Sequence, residues 1–268
     1  MSGSILIFDS GIGGLSILAE IRKVLPGHDC CYLFDNARLP YGELEESELI
    51  QGSVSLICEY ALQVKAAIVV VACNSASTLI LPILRQRLTI PVVGVVPAIK
   101  PAAKISKLRH IGLLATPGTI RRAYTQELIQ AFAEDCQVDL FGSSELVMLA
   151  EAKLAGETVD MAKLNCLLAP IQDSALDTIV LGCTHFPILA TEIQQVLGRG
   201  ITLLDSGQAV ADRVMFLLKD LEVIKGAGHT DANYRAVYTS ASITEGLRER
   251  LVEEGFNTIE PHSPTCLR

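Results

Sequence analysis

Short runs of apolar, β-branched residues alternate along this chain with longer stretches whose apolar positions recur at helical spacing. Residues 4–8, 31–34, 67–72, 92–96, 110–115, 139–141, 178–181 and 201–204 read as strands, with a last one at 236–239. Residues 14–24, 45–64, 77–88, 120–135, 161–174, 187–197 and 209–221 read as helices. Strands that are apolar throughout, each followed by a helix, predict an α/β fold with a mostly parallel sheet. No low-complexity linker interrupts the pattern, so any domain boundary is compact.

A weak internal repeat sharpens this picture. VVVACNSAS (69–77) and IVLGCTHFP (179–187) both run from a strand into a cysteine, a small polar residue and a helix start. The next strand follows each cysteine at the same interval, beginning near Pro91 and Ile201. Upstream, IFDSGIGG ends a strand at Asp9 and LLATPGT ends one at Thr116, at nearly equal distances from the two cysteines. Two pseudo-symmetric, open α/β units are implied. We expect the first, discontinuous, from residues 1–97 plus 208–268, and the second from 98–207. Ligands of open α/β sheets bind beyond the carboxyl ends of the strands, where Asp9, Cys73, Thr116 and Cys183 all fall. Two units facing each other about a pseudo-twofold axis would bring both cysteines to one cleft at their interface.

Composition narrows the function classes. Of 268 residues 50% are hydrophobic and 19% charged, the balance of an ordinary enzyme with a large core. The longest apolar runs, such as 66–73, fall short of the roughly 18 residues that span a bilayer, so no membrane is expected. The net charge of −8, without any Lys/Arg-rich run, argues against nucleic acid as the primary ligand. Residues 1–4 carry no basic segment ahead of an apolar one, which predicts a cytoplasmic protein. The eight cysteines form no C-x-x-C pair and no zinc-like spacing with histidine, so neither a metal site nor a disulfide framework is expected. An apolar-rich chain of modest charge is compatible with a homodimer.

Cys73 and Cys183 each stand between a strand end and a helix start, where backbone N–H groups and the helix dipole favour a thiolate. Taken singly, each reads equally well as a buried structural thiol; two matched placements weaken that reading. Opposed thiols suit a reaction that needs a base on one face of a carbon and an acid on the other, such as inversion of an α-carbon. Asp9 and His185 stand beside the two thiols as candidate proton acceptors, or else as an N-cap and a satisfied histidine. The DSGIGG loop fits neither nucleotide-binding glycine pattern, but its amides suit a carboxylate. Ser10, Tyr41, Gly42, Asn74, Ser75, Thr119 and Thr184 supply further neutral donors. Arg121 and Arg122 read as solvated helix residues. An anionic amino acid would then be held by neutral donors and helix ends, with no metal or pyridoxal phosphate cofactor.

The blocks FDSGIGGLS, LPYG, VACNSAS, VVGVVPAIKPA, LLATPGT, LGCTHFPIL and LDSG, in order from Phe8 to Gly207, resemble the glutamate racemases of bacterial peptidoglycan synthesis. The resemblance implies two pseudo-symmetric domains with substrate between them, no cofactor, and a supply of D-glutamate to the cell wall. It makes Cys73 and Cys183 the catalytic thiols, Cys73 taking the proton from D-glutamate and Cys183 from L-glutamate. Asp9 and His185 become their helpers, and Asp9, Ser10, Tyr41, Gly42, Asn74, Ser75, Thr184 and His185 the substrate contacts. Glu151 matches either a further family acid or a surface helix residue. Some members carry an N-terminal extension linked to activation by a peptidoglycan precursor; a first strand starting almost at Met1 gives that regulation no support here. An aspartate or hydantoin racemase would share the thiols but read another side chain. A hydrolase using Cys183 and His185 leaves Cys73 without a role, and a binding module would tolerate loss of either cysteine.

Overall fold

Ile5, Leu6, Ile7 and Phe8 are apolar at successive positions, which only a sheet covered on both faces can accommodate, and all four are fully buried. The structure, a computed structural model, describes residues 3–221 and 232–263; Cys266 lies outside them. Ten strands are found among the described residues: β1 (Ile5–Asp9), β2 (Cys30–Phe34), β3 (Ile68–Val71), β4 (Val92–Gly94), β5 (His110–Ala115), β6 (Gln137–Gly142), β7 (Thr178–Leu181), β8 (Thr202–Leu204), β9 (Tyr234–Tyr238) and β10 (Thr258–Pro261). They form two wholly parallel sheets, of order β10-β9-β2-β1-β3-β4 and β6-β5-β7-β8. The run β2-β1-β3-β4 has the same order as β6-β5-β7-β8, so the sequence repeat is a repeat of topology. The two pseudo-symmetric α/β units are thus present, and β9, after the second sheet in sequence, pairs with β2 of the first.

Helices cover both faces of each sheet. On the first, α1 (Leu15–Val24), with Leu18 and Ile21, shares one face with a helix at Gly207–Asp220 and another at Glu245–Glu253. The opposite face is covered by α2 (Glu46–Gln63) and α3 (Asn74–Arg87), through Leu49, Ile57, Ile80 and Leu84. The second sheet carries α4 (Ile99–Ile105) on one face, with α6 (Ala123–Phe132) following the short α5 (Pro117–Arg121). Its other face is packed by α7 (Glu145–Leu154), α8 (Met161–Gln172) and α9 (Ala190–Leu197). The two remaining helices among the described residues are then α10 (Gly207–Asp220) and α11 (Glu245–Glu253). The chain crosses between the sheets after β4 and after β8, and the Ser206 hydroxyl donates to the Val96 carbonyl at 2.5 Å, joining the two crossings.

Several elements differ from the sequence expectation. Helix α3 begins at Asn74 rather than at 77, which makes Cys73 its N-cap residue. The helix expected at 120–135 is broken at Arg122, whose backbone is extended (φ −76°, ψ 142°); beside the break the buried Thr125 hydroxyl donates to the Thr119 carbonyl at 2.6 Å. Helix α7 was not expected, because its LVMLA run is apolar on several sides, Met148 being exposed, and this blurs the helical period. Helix α11 and strand β10 were also missed: α11 is largely charged and buries only Leu247 and Leu251. No described helix is long and apolar enough to cross a membrane.

The central position of β1 gives the fold a testable dependence. Truncating Ile7, fully buried between helical layers, by Ile7→Ala is expected to destabilise the protein by about 3 kcal/mol, read as a lower urea midpoint with unchanged slope.

Candidate active site

In each sheet the chain winds one way from the first strand to its outer neighbour and the other way to the next, so a crevice opens at the carboxyl ends of β1/β3 and of β5/β7. Asp9 and Cys73 sit at the first crevice, Thr116 and Cys183 at the second. The crevices face each other around one small cavity. Ser10, Tyr41, Gly42, Cys73, Asn74 and Ser75 line it from the first unit, and Thr116, Val147, Cys183, Thr184 and His185 from the second. About 10 Å³ of space remains inside, no more than a single water needs. Both thiols are buried, yet both border this space.

The two cysteines have different surroundings. Cys73 donates to the Ser10 hydroxyl at 3.6 Å. Burial, reinforced by the negative charge of Asp9, pushes its thiol well above the ordinary cysteine range, although the Ala76 amide and Ser10 act in the opposite sense. Cys183 Sγ lies 3.7 Å from His185 Nδ1. The other ring nitrogen, Nε2, is 2.5 Å from Glu151 Oε1, and Glu151 Oε1 also accepts from the Ile12 amide at 2.8 Å. Burial alone would lower the His185 pKa. The hydrogen bonds to Cys183 and Glu151 and the Glu151 charge outweigh burial and raise it well above its usual value.

Asp9 is fully buried at the end of β1. It accepts from the Ser10 amide at 2.8 Å, the Gly14 amide at 2.6 Å and the Thr184 hydroxyl at 3.2 Å. It is not the N-cap of α1, a position Gly14 occupies without a side-chain bond. Desolvation raises its pKa from 3.8 to about 6, against the charge of His185 and the two amide bonds. The glycine loop after it is compact of necessity. A Cβ on Gly13 would collide with the His185 ring, and one on Gly11 with the Glu151 carboxylate.

Among the expected contact residues, Ser75 meets Thr116 at 2.9 Å and Thr119 at 3.2 Å, oxygen to oxygen, across the two units. Asn74 is buried and its Nδ2 has no hydrogen-bond acceptor among the described residues. Tyr41 reaches the cavity wall, but its hydroxyl is committed to the buried Asp35. Asp35 also holds Arg38, at 2.6 Å, and the Thr239 hydroxyl, at 2.6 Å, so Tyr41 serves to shape the wall. Arg122 overturns the expectation of a solvated helix residue. It is buried, and its guanidinium donates to the Ser75 carbonyl, to Thr78 Oγ1 at 2.7 Å and to Glu46 at 3.4 Å. Arg121 is exposed, as expected. Glu151 is the acid partner of His185 and not a bare surface residue; the apolar run of α7 that carries it gives no clear period from which to find it.

The raised Asp9 pKa has a definite consequence for stability. The folded chain binds the Asp9 proton more tightly than the unfolded chain, so this stabilisation is fully present below pH 3.8 and is lost as pH rises through about 6. Relative to Asp9→Asn, wild-type protein is expected to lose about 3 kcal/mol across that window. Urea denaturation of both proteins from pH 4 to 7 checks this; parallel profiles would contradict it.

Known proteins share this fold. The family described as Asp/Glu/Hydantoin racemase matches residues 15–214. The protein of Shewanella piezotolerans named glutamate racemase is 73% identical over 268 residues, the full length of both chains. The crystal structure of Escherichia coli glutamate racemase, in complex with L-glutamate and the activator UDP-MurNAc-Ala, aligns with a TM-score of 0.91 at 44% identity, over 98% of this chain and 99% of that one. A Bacillus anthracis glutamate racemase isoform aligns at 0.84 with 27% identity, over 99% of each chain. Matched along its length in sequence and in overall fold, this chain belongs to the Asp/Glu/Hydantoin racemase family.

Proposed function

We propose that this chain interconverts L- and D-glutamate without a cofactor, using Cys73 and Cys183 on opposite faces of the substrate α-carbon. The observation that carries the reading is the pair of matched thiols bordering one nearly closed cavity, each from the crevice of its own sheet. A binding module has no need of two such thiols, and a hydrolase built on Cys183 and His185 has none for Cys73. The glutamate racemases of Shewanella piezotolerans and Escherichia coli support glutamate as the substrate.

In the L-to-D direction Cys183, as thiolate with the protonated His185 donating to it, removes the α-proton. Cys73, kept as thiol by burial and by Asp9, delivers its own proton to the other face. The product is D-glutamate, with Cys183 now thiol and Cys73 thiolate, the starting state for the reverse reaction. Asp9, at about 6, and His185 lie beside the two thiols as proton reservoirs that reset them. Asn74 Nδ2, buried without an acceptor, suits a substrate carboxylate, and Ser10, Ser75, Thr184 and the first amides of α3 supply further donors. Such fixed donors in a water-poor site stabilise the carbanion as its charge develops.

The two units are residues 1–97 with 208–268, and 98–207. The product would serve peptidoglycan synthesis in the cytoplasm. Because the Escherichia coli protein is described with an activator, UDP-MurNAc-Ala belongs in the assay despite the opposite expectation drawn from the sequence.

The test is incubation with L-glutamate in deuterated water, with and without UDP-MurNAc-Ala, following optical rotation and α-deuterium by NMR. Loss of rotation with deuterium incorporation is expected. Cys73→Ser and Cys183→Ser should each lower the rate about 10²–10⁴-fold. Wild-type protein of verified fold that shows neither change would end the glutamate reading.

A further inference from the structure

A charged side chain buried at the joint between two units asks for an explanation, because desolvating a guanidinium is costly unless its donors are used. Arg122 is buried and belongs to the second unit, at the extended break between α5 and α6. Its acceptors all belong to helices of the first unit: the Ser75 carbonyl and Thr78 Oγ1 (2.7 Å) in α3, and Glu46 Oε1 (3.4 Å) in α2. An unbroken helix over 120–135 would lack the extended residue from which this side chain reaches α3.

Arg122 lies just outside the thiol cavity, bonded to the carbonyl of Ser75, which lines it. Inside lies about 10 Å³ of space. Outside lies an open groove of about 480 Å³ bordered by Gly42, Glu46, Thr78, Gly118 and Arg122. Between them the two units touch along a seam of glycines. A Cβ on Gly118 would stand 2.7 Å from the Gly42 carbonyl oxygen, and one on Gly42 would stand 2.5 Å from Thr116 Cβ. The hydroxyls of Ser75, Thr116 and Thr119 continue this contact inward. An amino acid far larger than a water cannot enter the inner space from the groove unless the seam parts.

We infer that Arg122 is the latch of this seam: a positioning residue that fastens α3 of the first unit to the second, closing the cavity and setting the place of Cys73 at the α3 N-terminus. The inference rests on the racemase reading for the identity of what enters, but the latch has a signature of its own. Losing charge-assisted hydrogen bonds at the mouth shifts the closed-to-open equilibrium by about tenfold or more, so both thiols become reachable.

Iodoacetamide labelling followed by peptide mass spectrometry reads this directly, with the exposed Cys166 as internal control. Arg122→Ala is expected to raise the labelling rates of Cys73 and Cys183 about tenfold while Cys166 is unchanged, and to raise KM for L-glutamate more than it lowers kcat. Arg122→Lys, which keeps the charge but not the fork, should fall between, and Thr78→Val should shift labelling in the same direction by less. If folded Arg122→Ala labels its site cysteines at the wild-type rate, the latch is overturned. Should Arg122→Ala fail to fold, wild-type labelling rates in both Arg122→Lys and Thr78→Val overturn it equally. Wild-type protein that shows no racemisation, with labelling still dependent on Arg122, would remove the glutamate reading and leave the latch standing.

Discussion

The carboxylate of Asp9 is the interaction on which the rest of the site depends. It is fully buried at the end of the central strand, and its three donors come from three places: the loop amide of Ser10, the start of α1 at Gly14, and Thr184 beyond β7 of the other sheet. One group thus shapes the glycine loop, aims α1 and draws the two units together. A buried carboxylate tolerates this only while its lone pairs are used. Desolvation outweighs these bonds and raises its pKa to about 6, which leaves Asp9 able to exchange a proton near neutral pH.

A second carboxylate mirrors it. Glu151 accepts from the Ile12 amide of the same glycine loop and from His185, so the loop is held on one side by an acid of its own unit and on the other by an acid of the opposite unit. The glycines at 11 and 13 are needed because the imidazole and the Glu151 carboxylate occupy the space that side chains would fill. The two halves therefore share a topology but not a chemistry. One thiol faces an acid and a hydroxyl, the other a histidine paired to an acid, and in the proposed reaction this difference is what gives two like groups opposite proton-transfer roles.

Closure is the third feature. With inner space for no more than a water, the site keeps bulk solvent from the thiols, which strengthens the fixed donors around them and requires that the units part for each substrate. The hydrogen bond between Ser206 and Val96 joins the two crossings between the sheets, while Arg122 fastens the mouth.

The sequence by itself determined the architecture and most of the residues that line the cavity. Fully apolar strands can lie only in sheets covered on both faces, and the VVVACNSAS and IVLGCTHFP repeat predicts two like units with Cys73 and Cys183 at equivalent strand ends. Asp9 and Ser10 were legible because they stand at the end of β1, and Asn74, Ser75, Thr184 and His185 because each follows one of the two cysteines by one or two residues. What the tertiary structure alone decided is which distant groups meet them. Glu151 reaches His185 from a helix whose apolar residues blur its period, the Tyr41 hydroxyl turns to Asp35, and Arg122, charged and inside an apparent helix, turns inward at a break. Local sequence reports which way a side chain must point to bury apolar surface. It does not report which partner from another element will satisfy a buried charge, since that partner is supplied only when the two sheets are brought face to face.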